Sequence, residues 1–523
     1  AVQLFEARAR AALPSFELTM ENGPWTAEIC RRLDGLPLAL ELAAAHVRAY
    51  PVRTIAQHLD DRLQLFKART RTALPRHQTL EAALDWSYAL LSDAEQQMLQ
   101  QLSVFAGGWT LDAAEAVCAP DAGVMPLLSN LIAKSLVVVD HAGGGRRYHF
   151  LETIRQYAQR KLAAAGQAGA TRDRHLAYFV RWAESSGPFL VGPEQSRWVA
   201  EFELDHDNLR AALDWCGVEA GKEALGLRLA AACGDFWNLR GHLAEGRERL
   251  AAVLAAAGPE MRTTERAWAL IWAAHLAYLQ SDFTATEALA HEALAIYRDL
   301  GPAGRVGVAL ALDWLGEVAT EVGDYENAPG YLEEALLIYR EVQDNRGAAD
   351  MLMQLGWALM RMGDYVQAEA YLHESLLLVQ ALDDPYLLGM NLSGLGELAL
   401  RQGEYDRAHD LLQESLVARR ALGNPWGIAV SLGSLGWVAL RRGEFIPMAE
   451  VLEESLQIRL EIGDRGGVAW CLEKLAEAKV LLARRLSLPH RRRAFPDAVR
   501  ILGAAAAVRA EVNAAIDPVD QPA

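Results

Sequence analysis

Along most of the chain, apolar residues recur three and four positions apart with charged residues between them, as in Val2, Leu4, Phe5 and Ala9. That spacing places the apolar side chains on one face of an α-helix. Alanine and leucine dominate and β-branched runs are scarce, which favours helix over strand. Pro37, following Asp34-Gly35-Leu36, opens an apolar-periodic helix from Leu38 to Val47. Proline suits a first helical turn because its missing N–H would be unpaired there. Ser92-Asp93-Ala94-Glu95 is a capping box that opens a helix through Met98 and Leu102. A further helix, Leu127 to Ser135, runs into the one clear strand, 136–140; a glycine turn at 143–145 then leads to a second strand, 147–150.

The C-terminal half has a period of 40 residues. The turn Gly323-Asp324-Tyr325 returns as Gly363-Asp364-Tyr365, Gly403-Glu404-Tyr405 and Gly443-Glu444-Phe445. Leu315-Gly316 precedes the first turn and returns as Leu355-Gly356, Leu395-Gly396 and Leu435-Gly436. Glu334-Ala335-Leu336 follows it and returns as Glu374-Ser375-Leu376, Glu414-Ser415-Leu416 and Glu454-Ser455-Leu456. A large and a small residue side by side let a neighbouring helix approach closely. The turn glycine then ends the first helix, an aromatic plugs the turn, and Ala328, Ala368 and Ala408 are small contacts on the second helix. One such hairpin cannot bury its own apolar face, whereas stacked copies share a continuous core. These residues resemble the tetratricopeptide repeat in a 40-residue form, clearest over 265–480. The resemblance implies a right-handed superhelix. More degenerate helical pairs fill 171–262, and after Leu475-Ala476 the period slips, with Pro489 and the run Arg491-Arg492-Arg493 read as an exposed loop.

With 523 residues, 52% of them hydrophobic, the chain has ample apolar content for about three domains. A formal charge of −17 argues against broad nucleic-acid binding, because a duplex binder needs a basic face. The five cysteines are scattered, never in CxxC spacing, and read as reduced core residues. No apolar run approaches the ~20 residues of a membrane span. The absence of a signal-peptide pattern leads to the expectation of a cytoplasmic protein. Because it begins at Ala1 inside an amphipathic pattern, the chain reads as a piece of a longer one. No metal-ligand spacing and no catalytic constellation emerges: His242, His275, His291, His373 and His409 fall on repeat helices without partners in suitable spacing.

Helices followed by a β-wing over 76–165 form the winged-helix order. Gly35-Leu36-Pro37-Leu38, then a winged helix, then helical repeats, resembles the C-terminal part of a STAND-class NTPase. Phe105-Ala106-Gly107-Gly108-Trp109 and the stretch 151–157 are similar to its bacterial branch. The resemblance implies an upstream P-loop domain that binds ATP or ADP, with Leu36 and Pro37 against the adenine, and repeats that sense a trigger. Two features depart from the family. There is no GxxxxGK[ST], since Gly221-Lys222 is followed by Glu223. The family's Met-His-Asp signature falls on Phe150-Leu151-Glu152, where leucine cannot donate to a phosphate; His149 is the candidate substitute, the alternative being a surface histidine of the wing.

In such a superhelix the first helices line the concave groove, so equivalent positions stack into ladders along it. The position after Leu-Gly gives Glu317, Trp357, Glu397 and Trp437; one helical turn on come Glu321, Arg361, Arg401 and Arg441. Arginines suit carboxylates or phosphates, and tryptophans offer flat apolar platforms. The alternative is local: a Glu397–Arg401 ion pair, with Arg361 and Arg441 resting on their own tryptophans. Asp313 joins Glu317 and Glu321 at one end, so the groove is expected to be acidic toward 313 and basic toward 441.

The expected architecture is all-α with a small β-wing: a small helical domain (1–62), a winged-helix domain (63–168) and a tetratricopeptide-like superhelix (169–523). The expected function is non-enzymatic in this chain, sensing a protein, peptide or small ligand in the groove and signalling to the chain's own upstream nucleotide-binding domain. No cofactor is expected here, and neither a membrane nor nucleic acid is an expected partner. The rival readings are a passive scaffold and a DNA-binding transcriptional regulator that uses the winged helix.

Overall fold

The computed structural model describes residues 1–32 except 14 and 20, positions 40, 43, 44, 47 and 50–57, then 80–118, 123–142, 145–191, 194–484 and 488–512. By internal packing the chain forms two units, Ala1–Phe179 with Leu204–Trp215, and Val180–Glu203 with Cys216–Ala523. Residues 169–179 and 204–215, read from the sequence as the start of the superhelix, therefore pack in the first unit.

In the first unit, helices Val2–Ala12, Gly23–Arg32 and Val52–Gln57 surround a core of Phe5, Ile29, Leu40 and Ala43, all fully buried. The helix expected over 38–47 contributes Leu40, Ala43, Ala44 and Val47 to that core. Its other positions lie outside the described residues, as do Leu36 and Pro37 and the expected domain boundary at 62. The winged helix follows with helices Asp93–Leu102, Leu111–Val117, Val124–Ala133 and Glu152–Ala164. Ser92 and Glu95 make the reciprocal capping box that the sequence announced. The helix expected from Leu127 begins earlier, at Val124, and ends at Ala133; Ser135 then turns left-handed at φ 58°. That turn delays the strand to β2, Val138–Ala142, which pairs antiparallel with β3, Gly145–His149, with Val138 opposite His149. A short strand absent from the sequence reading, β1 (Gly108–Trp109), pairs with the other edge of β3. Glycine is required at 108 because a Cβ there would lie 3.0 Å from the Tyr148 carbonyl.

The second unit is the repeat array. Its first helices include Thr264–Leu279, Arg305–Val322, Asn345–Met362, Pro385–Arg401, Pro425–Arg442 and Arg465–Arg484. The intervening second helices are Phe283–Asp299, Ala328–Glu341, Tyr365–Leu382, Tyr405–Leu422 and Phe445–Ile462. The Leu-Gly pairs do what their spacing implied: a Cβ on Gly316, Gly356, Gly396 or Gly436 would meet the Cγ of Leu332, Leu372, Leu412 or Leu452 at 2.6–2.7 Å. Gly323, Gly363, Gly403 and Gly443 end their helices in the left-handed region (φ 77–87°), where any side chain is strained. The serine of the Glu-Ser-Leu motif is structural, because Ser375, Ser415 and Ser455 each donate at 2.7 Å to a first-helix carbonyl, that of Ala349, Gly389 and Ala429. One expectation is corrected: Pro489 and Arg491-Arg492-Arg493 lie in the helix Leu488–Val512, not in a loop. Proline sits in its first turn, where no backbone bond is lost.

Among the described residues, no helix is long and apolar enough to cross a membrane. All five cysteines are buried and none forms a disulfide.

Candidate functional site

The 40-residue period sets the first helices side by side, so their inward faces come into register. They enclose a cavity of about 430 Å³ inside the second unit. Contacts between distant parts of that unit close it. Gln280 Nε2 donates to the Ile462 carbonyl at 3.1 Å, Ser281 Oγ to Asp464 Oδ1 at 3.0 Å, and the Gly466 N–H to Ser281 Oγ at 3.1 Å. Asn238 reaches the Tyr386 hydroxyl at 3.5 Å. The partners are separated by 148–185 positions in the chain, so the groove becomes a chamber. A 40-residue period cannot announce this closure, because it depends on the small rotation accumulated over several repeats.

One pole of the chamber is acidic. Asp313 is 5% exposed and its Oδ1 has no hydrogen-bond partner. Glu317, 8% exposed, accepts from Gln354 Nε2 at 2.6 Å and faces the Tyr278 hydroxyl. Burial, reinforced by repulsion among Asp313, Glu317 and Asp350, holds the Asp313 and Glu317 carboxyls well above the usual range. Asp350 and Asp235 are pushed up to about 6 by burial, opposed by the nearby Arg346. Arg346 itself pairs with Asp384 at 3.1 Å. The wall beside this pole is aromatic. His275 lies between Trp272 and Trp314, with ring centroids 5.1 and 4.5 Å away, and burial pushes its pKa down to about 3, leaving it neutral.

The other pole carries arginines. Arg361 pairs with Glu321 of the preceding repeat at 2.7 Å. Arg401 pairs with Glu397 at 2.8 Å and lies 5.3 Å from the Trp437 ring centroid, its side chain only 3% exposed. Arg459 pairs with Asp464, and Arg509 with Glu473 at 2.6 Å. Arg419 differs: its Nη1 donates to neutral acceptors, the Gly427 carbonyl at 2.6 Å and Ser431 Oγ at 3.1 Å. Burial pushes its pKa down to about 10, with Arg459 adding repulsion.

Seven of the expected groove residues line the cavity: Asp313, Glu317, Glu321, Trp357, Arg361, Glu397 and Arg401. Trp437 and Arg441 do not. Trp437 is 3% exposed because the next first helix brings Trp470 and Lys474 over it, with the Lys474 ammonium 4.6 Å from its ring. Arg441 is exposed and stands over that same ring, at 5.8 Å. The local pairing foreseen for Glu397 and Arg401 forms, and Arg361 reaches across to Glu321 of the neighbouring repeat. The sequence reading missed Asp235, Tyr278, Arg346, Asp350, Arg419 and Arg459. A signal existed for two of them: Arg419 and Arg459 stand one period apart. Asp350 lies one turn before the position equivalent to Asp313, and nothing in the period marks it.

In the first unit, His149 is half-buried on β3 and pairs with Asp140 at 3.2 Å. The helix Val124–Ala133, in the position of a recognition helix, carries no charged residue. Lys134, just beyond it, is engaged by Glu95 at 2.8 Å, an ion pair that holds the Glu95 carboxyl below the usual range. In the wing, Arg147 is buried in a two-armed pair with Asp205 at 2.7 and 3.2 Å. Asn208 completes this knot by accepting from the Ala106 N–H at 2.8 Å and donating to the Gly108 carbonyl at 2.7 Å. The stretch 105–109 is thus tied to residues 204–215, while Phe105 and Trp109 stack in the core with centroids 5.5 Å apart.

Comparison with known proteins agrees with this architecture. The chain carries a winged helix-turn-helix domain, matched over residues 91–163, and tetratricopeptide repeats, matched over 347–421. Proteins of Mycobacterium tuberculosis and Mycobacterium bovis bearing the provisional name HTH-type transcriptional regulator are 37% identical over 356 residues, 66% of this chain and 40% of their own length. An uncharacterized M. tuberculosis protein is 41% identical over 180 residues, 34% of this chain and 46% of its own. The chain therefore spans less than half the length of these curated relatives. Among solved structures, a Pyrococcus horikoshii signal-transduction ATPase with numerous domains and a tetratricopeptide repeat sensor aligns over 97% of this chain and 69% of its own (TM-score 0.48, 15% identity). A Rap protein complexed with competence and sporulation factor aligns over 66% of this chain and 99% of its own (TM-score 0.44, 12% identity).

Proposed function

We propose that this chain is the sensing and transducing portion of a STAND-type regulator, and that its trigger, a peptide or small molecule, is held inside the repeat chamber. The observation that carries this reading is the chamber itself. It is about 430 Å³, the size of a small-ligand site, and its wall includes a buried carboxylate with an unpartnered oxygen. A passive scaffold has no use for such a group, which is costly to bury and contributes nothing to an outer surface. The regulator reading also draws on the provisional names of the mycobacterial relatives, and the STAND reading on the Gly-Leu-Pro-Leu, winged-helix, repeat order. Nucleotide binding and hydrolysis belong, in this account, to an upstream domain, with ATP or ADP as its ligand.

The winged helix acts here as a transducer. A DNA reader needs several cations for phosphate contacts, but the recognition-position helix has none, Lys134 is held by Glu95, and Arg147 is buried against Asp205. The knot of Arg147, Asp205 and Asn208 ties residues 204–215 to the wing within the first unit.

The test is a melting-temperature comparison with a fractionated small-molecule extract of mycobacterial cells, using the wild type and Val430→Trp, which fills the cavity from its wall. A fraction that stabilises the wild type and leaves the filled variant unmoved supports the reading. Equal stabilisation of both, or of neither, would refute it.

A further inference from the structure

The acidic pole has more negative charge than its protein partners satisfy. Asp313 is nine-tenths buried and its Oδ1 has no hydrogen-bond partner, although it lines the cavity. Glu317 has the Gln354 amide and the Tyr278 hydroxyl, both neutral. Asp350 has Arg346 nearby, but that guanidinium is already bonded to Asp384. Like charges held close in a largely buried cavity repel, so the three carboxyls either hold protons or receive a cation. Among the described residues they do not converge as the ligands of one metal ion would. An unpartnered carboxylate oxygen in a cavity lined by indoles instead suits an ammonium group on an apolar body.

We propose that the chamber, read as the sensor site above, recognises its ligand through an ammonium group. A small organic amine places its nitrogen against the unpartnered Asp313 Oδ1 and its carbon skeleton against Trp314 and Trp357. An N–H then meets that carboxylate oxygen, and the cation offsets the repulsion that Glu317 and Asp350 exert on Asp313. The amine carries the specificity, because a neutral isostere leaves the carboxyls protonated and forms no ion pair with them.

The probe set is phenethylamine, phenethyl alcohol and phenylacetate, titrated calorimetrically into the whole chain. Phenethylamine is expected to bind about tenfold or more tightly than the alcohol. Asp313→Asn, which keeps shape and removes charge, is expected to weaken the amine by about tenfold and leave the alcohol unchanged. Asp350→Asn provides the same test at a second position, should the first variant fail to fold. Equal binding of amine and alcohol would overturn the proposal. Tightest binding of phenylacetate, lost on Arg419→Met, would overturn it too, while leaving the chamber as the ligand site. Binding of none of the three also overturns it, and the extract comparison above then decides the chamber reading independently.

Discussion

Replacing glycine by alanine at two positions of one repeat should move stability in opposite directions. Gly330 lies in the helix Ala328–Glu341 with nothing within 4 Å of where a Cβ would be. Alanine there gains part of the ~1 kcal/mol of helix propensity that an exposed interior position gives, since Gly330 lies in the first turn. Gly316, in the facing helix Arg305–Val322, has the full propensity to gain, but its Cβ would lie 2.6 Å from Leu332 Cγ and 2.7 Å from Cδ2. Leu332 is fully buried and cannot swing away, so the helices must separate, and overpacking of this kind costs ~1–3 kcal/mol. The net expectation is stabilisation by up to ~1 kcal/mol for Gly330→Ala and destabilisation by up to ~2 kcal/mol for Gly316→Ala. Urea denaturation followed by circular dichroism reads both as midpoint shifts. If Gly316→Ala stabilises as much as Gly330→Ala, the Leu-Gly pair is not the close-approach device inferred from its recurrence.

Three further outcomes follow from the same structure. Asp205→Ala leaves Arg147 buried without its partner and should destabilise the first unit by ~3–5 kcal/mol, whereas Arg147→Met with Asp205→Leu should recover most of the loss; equal melting of the single and double variants would contradict this. Asp235 titrates at about 6 in the fold against an ordinary value of 3.8, because burial disfavours its charge. Its contribution is complete below the ordinary value and lost as pH rises through 6, so Asp235→Asn should be neutral below about pH 3.8 and stabilise above pH 7 by ~3 kcal/mol. A pH-independent difference in melting would refute that assignment. Leu395→Ala, which empties a buried site between repeats, should cost ~2–5 kcal/mol by the same denaturation assay.

The repeat array was legible because its devices are local and recur. Leu-Gly and the turn glycine act within one hairpin in all four copies, and the small residue of the second helix does so in three, Met448 standing in the fourth. The capping box and the wing were legible for the same reason, since period and turn chemistry act over a few residues. The chamber was legible only in part. The position after Leu-Gly does face inward, which brought Glu317, Trp357 and Glu397 into the reading. Trp437 left it because its cover comes from Trp470 and Lys474, a departure from the repeat that only packing reveals. The contacts of Ser281 with Asp464 and of Gln280 with Ile462 were invisible for a different reason. They join residues 182 and 183 positions apart, whose meeting depends on summed inter-repeat rotation. The knot of Arg147 with Asp205 likewise joins a wing residue to a segment the sequence reading had assigned to another domain.

The central claim, that the chamber holds the trigger, is tested most directly by hydrogen–deuterium exchange of the whole chain with and without the extract fraction that raises its melting temperature. The account expects added protection concentrated in the first helices that carry the acidic pole, Arg305–Val322 and Asn345–Met362. Protection confined to the second helices, such as Ala328–Glu341 and Tyr365–Leu382, with the first helices unchanged, would contradict it.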